Sequence, residues 1–192
     1  MNIFKKSSIY INAHAVLALI FTLNVFAAPI PKAPNPDVKS YILIDYDSGM
    51  VIAEKNADLI LPPASITKIM TSYIIFTELK NDTLAKNDDV IVSKKAWKTG
   101  GSKMFIEVGK KVKVSDLLQG IITSSGNDAS VAMAEHISGD EETFAIYMNQ
   151  LAKNLGMTNT SYANSTGLPD DNLFTSARDI STLARSLIKS FP

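Results

Sequence analysis

Residues 40–58, SYILIDYDSGMVIAEKNAD, carry a period of two, and nothing later in the sequence sustains it. Tyr41, Leu43 and Asp45 alternate with Ile42, Ile44 and Tyr46, and DSG supplies a turn before MVIAEK, so the stretch predicts a β-hairpin. A lone hairpin is marginal in water, and further strands or helices must bury one of its faces. From Pro63 to about Leu79 the period becomes helical. Ile66, Ile69, Met70, Tyr73, Ile74 and Phe76 form a broad apolar face, with Pro63 or Ala64 in the first turn. Residues 80–112 are polar and irregular, with short strand-like pieces at VIV and KMFIEV. VSDLLQGIITSS reads as a helix, as do GNDASVAMAEHISG and DEETFAIYMNQLAKNLG, each of these two closed by glycine. MTNTSYANSTGLPDDN is a long polar connection, and TSARDISTLARSLIKSF is a last helix capped by Thr175 or Ser176. One hairpin followed by helices leaves a sheet unfinished within these residues. That order predicts either a catalytic domain incomplete as written or a small, mostly helical domain.

The N-terminus follows a different logic. Lys5 and Lys6 precede the mostly apolar IYINAHAVLALIFTLNV, which gives way to FAAPIPKAPNPD. A positive start, an apolar middle and small residues at Val25 and Ala27 predict a signal peptide over 1–27, cleaved after Ala27. The competing reading is a retained membrane anchor, for which the run is short and interrupted by Asn12, His14 and Asn24. Residues 28–39, with four prolines between Pro29 and Asp37, predict an extended leader. The domain proper then occupies 40–192.

Charge and composition remove several function classes. Lysine plus arginine balances aspartate plus glutamate at 19 each, and loss of the two signal lysines would leave a net charge of −2, so no basic field collects nucleic acid. The chain has no cysteine, hence no thiol nucleophile or thiolate metal site. His14 lies in the signal, leaving His136 alone in the remainder, so a histidine-based triad or multi-histidine metal centre has no material. DYD, NDD and PDD lack a calcium-loop pattern, and TGGS lacks the glycine spacing of a phosphate loop.

What remains is LPPASITKIM. Ser65 and Lys68 stand at i and i+3, so on a helix both side chains can face one cleft. A serine hydroxyl needs a neighbour to take its proton, and a lysine can do that only where its surroundings favour the neutral amine. The bland alternative is a helix cap beside a solvated lysine. TSSGNDAS offers a second pair: Ser125 and Asn127 lie in a turn between two apolar helical segments, where a hydroxyl and an amide can project into a cleft. The alternative there is an ordinary turn, with Gly126 in a special dihedral and Asn127 or Asp128 capping the next helix.

With both motifs in view, the sequence resembles the serine D-alanyl-D-alanine carboxypeptidases, the low-molecular-weight penicillin-binding proteins. The resemblance runs through LILPPASITKIMTSYI, AWKTGGSKMFIEVG, LLQGIITSSGNDASVAMAEHISG, MNQLAKNLGMTNTSYANSTGL and SARDISTLARSLI. It implies an α/β, β-lactamase/transpeptidase-like domain with an antiparallel sheet and a helical subdomain, ending here before its C-terminal strands. The family's S-x-x-K motif matches Ser65 to Lys68 and its S-x-N motif matches Ser125 to Asn127. Its third motif, K-T-G, belongs on a strand beyond Pro192. The KTG at Lys98 to Gly100 precedes the second motif and is expected to border the site without being the third. The missing strand would carry a substrate-binding lysine and threonine and one of two oxyanion N–H groups, the other being that of Ser65. Losing one such donor costs about 3 kcal/mol of transition-state stabilisation, so the chain alone is expected to be inactive.

The roles implied are Ser65 as nucleophile, Lys68 as general base, Ser125 as a proton relay linked to Lys68, and Asn127 as a substrate-binding amide. No cofactor or metal is implied. The implied partners are a peptidoglycan stem peptide ending in D-Ala-D-Ala and β-lactams as inhibitors, in the periplasm. Membrane association would come only through elements outside this chain. The rivals are a DD-endopeptidase cutting crosslinks, a serine β-lactamase, for which no persuasive deacylating glutamate is found, and a non-catalytic wall-binding module.

Overall fold

The computed structural model describes residues 32–192, so the signal reading of 1–27 lies outside the described residues, as does the start of the leader. Pro36–Pro192 form one compact unit. The predicted hairpin is present as β1 (Tyr41–Ile44) and β2 (Val51–Lys55), paired antiparallel with Tyr41 opposite Lys55 and an irregularity between Leu43 and Ile44. Its turn is held by Asp45, whose carboxylate accepts from the Ser48 N–H at 2.8 Å, while Gly49 takes the left-handed conformation at φ 76°. Of the hairpin's apolar residues only Ala53 is buried; Leu43, Val51 and Ile52 are exposed.

Pro62 and Pro63 end the extended run that follows. A 3-10 turn over Ala64–Thr67 leads directly into α1 (Lys68–Lys80), so the predicted helix is present with a tightened first turn. Next come β3 (Asp89–Ile91), α2 (Lys94–Lys98) and β4 (Lys111–Lys113), with β3 and β4 paired antiparallel. Two expectations fail in this region. KMFIEV forms no strand; three of its N–H groups turn to a side chain instead of a ladder, and pairing passes to Lys111–Lys113. The stretch read as irregular contains a short helix started by Ser93, whose hydroxyl accepts from the Ala96 N–H at 2.9 Å.

The remaining helices follow their patterns: α3 (Val114–Ser124), α4 (Asn127–Ser138), α5 (Glu141–Asn154) and α6 (Ala177–Ser190). Ser176 caps α6, one of the two residues expected to do so. Helix α4 is central, with every residue from Asn127 to Ala134 buried, and its small side chains admit close neighbours. Ile75 of α1 joins Leu117, Ile121 and Met133 in one apolar cluster, while Met70 and Ile74 of the same helix join Phe144, Met148 and Leu183 in another. Helix α1 therefore packs into both clusters, through different sides of one broad apolar face. Truncating a fully buried residue such as Phe144 to alanine costs about 3–5 kcal/mol. Reciprocal backbone bonds of 2.9 Å between Leu61 and Thr175 tie the chain before the 3-10 turn to the start of α6. The chain entering α1 is thus fastened to the start of α6.

Candidate active site

In a 3-10 turn, side chains at i and i+3 eclipse one another. The turn over Ala64–Thr67 accordingly stacks Ser65 over Lys68, with 3.4 Å between Oγ and Nζ. Ser65 does not cap the helix through its side chain; it is exposed. Lys68 is not solvated, with a relative exposure of 5%. Both line an open cleft of about 320 Å3 together with Ile69, Ser72, Ser125 and Leu187.

Lys68 Nζ donates to Asn127 Oδ1 at 2.7 Å and to the Thr166 carbonyl at 2.7 Å. Among the described residues no carboxylate pairs with it. Burial pushes its pKa down to about 8. Three oxygens receive the three N–H groups of an ammonium, and burial is what eases loss of one proton. A neutral amine has two N–H groups, and two fixed acceptors consume them, leaving the lone pair for the Ser65 hydroxyl.

Asn127 is oriented from every side. Its N–H donates to the Ser102 carbonyl at 2.8 Å and its Nδ2 to the Gly100 carbonyl at 2.7 Å, so its Oδ1 is left to face the lysine. The KTG segment thereby touches the site through a backbone carbonyl. Asn127 is the first residue of α4 and not part of the turn before it. The special dihedral also falls elsewhere than expected: Gly126 is extended at φ −63°, and Ser125 takes the left-handed conformation at φ 52°. That conformation costs a non-glycine residue about 1 kcal/mol. Ser125 Oγ is buried without a hydrogen-bond partner, so the expected link to Lys68 is not made, although both residues line the same cleft.

Two supports were invisible in the sequence. Asp128, buried beside Asn127, accepts from the N–H groups of Met104 and Phe105 at 2.8 Å, Ala129 at 2.9 Å and Ile106 at 3.3 Å. It fixes the loop whose Gly100 and Ser102 hold Asn127. On the other side, Asn164 Oδ1 accepts from Gly167 N–H at 2.8 Å, Thr166 Oγ1 at 2.9 Å and Thr166 N–H at 3.2 Å. A Cβ on Gly167, at φ 86°, would lie 1.9 Å from the Ala64 carbonyl oxygen. Only glycine lets this loop close on the 3-10 turn. A Ser/Thr/Asn/Gly cluster was the available signal, and it reads equally well as an ordinary turn.

An exposed hydroxyl, a buried amine of lowered pKa beside it and a cleft over both can perform nucleophilic acyl transfer. The family profile for D-alanyl-D-alanine carboxypeptidase, peptidase S11, matches residues 27–192. The chain belongs to this family. D-alanyl-D-alanine carboxypeptidase DacC of Escherichia coli is 43% identical over 187 residues, covering 94% of this chain and 47% of the relative. The crystal structure of D-alanyl-D-alanine carboxypeptidase DacD from Francisella tularensis superposes with a TM-score of 0.83 at 44% identity, over 85% of this chain and 40% of that one. Penicillin binding protein 5 from Haemophilus influenzae gives a TM-score of 0.82 at 38% identity, over 84% and 48%. This carboxypeptidase-family chain therefore has the α/β transpeptidase-like fold, and it spans about half the length of the relatives it matches.

Proposed function

We propose that this chain carries the nucleophile half of a serine-type D-Ala-D-Ala carboxypeptidase that removes the terminal D-alanine from peptidoglycan stem peptides. The observation that carries the reading is the hydrogen-bond set of Lys68: two neutral acceptors at 2.7 Å, the Ser65 hydroxyl at 3.4 Å and no carboxylate. Ser65 Oγ attacks the carbonyl of the penultimate D-alanine while its proton passes to the lone pair of Lys68. Collapse of the tetrahedral adduct expels D-alanine, whose amine takes a proton through Ser125, the unpartnered hydroxyl in the cleft. Water then attacks the acyl-enzyme with Lys68 again as base, and Ser65 is released. Asn127 holds Lys68 through Oδ1 and binds the peptide amide of the substrate. A β-lactam enters by the same first step and leaves slowly because its ring nitrogen stays tethered. The protein acts in the periplasm after export by residues 1–27.

The test is intact-mass analysis after incubation with benzylpenicillin. It would be run on the 192-residue chain and on a version extended by the third-motif strands that the family resemblance implies. Gain of one β-lactam mass in the extended protein, absent in Ser65→Ala, supports the reading. A folded extended protein that takes no label overturns it in favour of a wall-binding module. D-alanine release from a linear stem pentapeptide, set against cleavage of a crosslinked dimer, separates carboxypeptidase from endopeptidase.

A further inference from the structure

Lys68 is held by a backbone carbonyl, and a carbonyl is only as well placed as its peptide. Thr166 lies on the loop after α5, where its neighbour Ser165 is wholly buried. Ser165 donates through its N–H at 3.1 Å and its hydroxyl at 2.8 Å to one oxygen, Glu141 Oε1, in the first turn of α5. Its own carbonyl accepts from Thr71 Oγ1 of α1 at 2.7 Å. The other oxygen of Glu141, Oε2, is 3.2 Å from Lys95 Nζ on α2. A continuous chain therefore runs from the surface lysine Lys95 through Glu141 and Ser165 to the Thr166 carbonyl and Lys68.

We propose that Glu141 is a positioning residue for the site: by holding Ser165 at two donors, it fixes the Thr166 carbonyl against Lys68 Nζ and so aims the Lys68 lone pair at Ser65. The inference rests on the reading of Ser65 and Lys68 as nucleophile and base. Capping does not explain the arrangement, because Asp140 already caps α5 by accepting from the Thr143 N–H. Nor does a generic need for an ion pair, because Lys95 has a second carboxylate, Glu142, at 3.0 Å. Oε1 is spent wholly on Ser165. With that grip lost, the Thr166 carbonyl no longer holds its acceptor position. The buried amine then loses one of the two dipoles that favour its protonated form, and its rotation is no longer fixed.

The experiment compares wild type, Glu141→Ala, Glu141→Gln and Ser165→Ala in the full chain, with Lys68 titrated by 13Cε NMR and assigned through Lys68→Met. The rate of Ser65 acylation by benzylpenicillin is measured on the extended protein. In Glu141→Ala the Lys68 midpoint moves below that of wild type and acylation falls about tenfold on the plateau above both midpoints, with a smaller loss below them where more of the amine is neutral, since small misplacements at a reacting centre carry penalties of that order. Glu141→Gln, whose amide oxygen still accepts both Ser165 donors, stays within about threefold and keeps the wild-type midpoint. Ser165→Ala shifts Lys68 in the same direction by a smaller amount, and it decides the question if Glu141→Ala does not fold.

Three results overturn the proposal. One is an unmoved Lys68 midpoint in both Glu141→Ala and Ser165→Ala. Another is a shift in Glu141→Gln equal to that in Glu141→Ala, which would make the effect one of charge. The third is a rise of the midpoint, which would mean that water had filled the site. Failure of wild type to acylate at Ser65 would instead bring down the nucleophile reading.

Discussion

Two lysines sit at the ends of one hydrogen-bonded chain and are opposite in character. Lys68 is buried and meets only neutral oxygens, those of Asn127, Thr166 and Ser65, and burial lowers its pKa to about 8. Lys95 meets Glu141 and Glu142 at the surface. Its partial burial pulls in the same direction as at Lys68, but hydrogen bonds first to Glu142 and then to Glu141 outweigh it and hold its pKa above the ordinary value. The same side chain thus has a lowered pKa in one place and is a fixed cation in the other. Partner chemistry makes the difference: a carboxylate within bonding distance stabilises the ammonium, whereas a carbonyl directs an amine without fully compensating its lost hydration.

The most severe way to break the contrast is to remove the buried amine, the base of the proposed reaction. Lys68→Met should lower Ser65 acylation by about 10²–10⁴-fold, the range that general-base catalysis supplies, as read by stopped-flow with a fluorescent penicillin. A surviving rate within tenfold of wild type would show that another group takes the proton. A subtler change turns one lysine into the other. Asn127→Asp sets a carboxylate where the Oδ1 at 2.7 Å now lies, giving Lys68 the kind of partner that Lys95 has. Acylation at pH 7 should fall about 100-fold, with its pH midpoint moved upward. A rate loss without a change of midpoint would mean that Asn127 matters for substrate and not for the lysine.

The loop joining the two regions can be tested through Gly167. Alanine there adds a Cβ 1.9 Å from the Ala64 carbonyl oxygen at a φ of 86°. Thermal unfolding should show a loss of about 2–3 kcal/mol, accompanied by slower acylation as the Thr166 carbonyl retreats. Unchanged stability would mean that the loop can shift without cost.

The fold was legible where information is local, and the site was legible where it lies in side chains. Ile66, Ile69, Met70 and Ile74 announce α1 by spacing alone, and Ser65 with Lys68 announces a possible nucleophile and base. The failures have physical reasons. KMFIEV has strand composition, but Asp128, more than twenty residues away, captures three of its N–H groups, and a distant acceptor leaves no local mark. The short α2 is mostly lysine and lacks an apolar period. In the turn after α3, Gly126 was the obvious holder of a positive φ, yet tertiary packing puts that conformation on Ser125. One of the two partners of Lys68 at 2.7 Å is the carbonyl of Thr166, and every residue has a carbonyl.

Titration of stability sharpens the contrast with a smaller effect. The Lys68 pKa is about 8 in the folded protein against 10.5 when exposed. Between these values the unfolded chain binds the extra proton, so stability rises with pH across this window and falls again as pH drops towards 8. Below pH 8 both states are protonated and the whole cost, about 3 kcal/mol at most, is present. The unfolding free energy of wild type minus that of Lys68→Met should therefore increase from pH 8 to 10.5. A flat difference would mean that Lys68 titrates normally.

The smallest effect is expected at the other lysine. Lys95→Met leaves Oε1 of Glu141 on Ser165 and removes only the ion pairs of a side chain that is 46% exposed. Exposed pairs contribute less than about 1 kcal/mol and are screened by salt. Urea unfolding should show a loss of that size which shrinks at high ionic strength, with acylation near the wild-type rate. The argument turns on the unequal use of the two Glu141 oxygens. If Lys95→Met slows acylation as much as Glu141→Ala does, the ion pair is what holds Glu141 in place, and the surface lysine takes part in aligning the buried one.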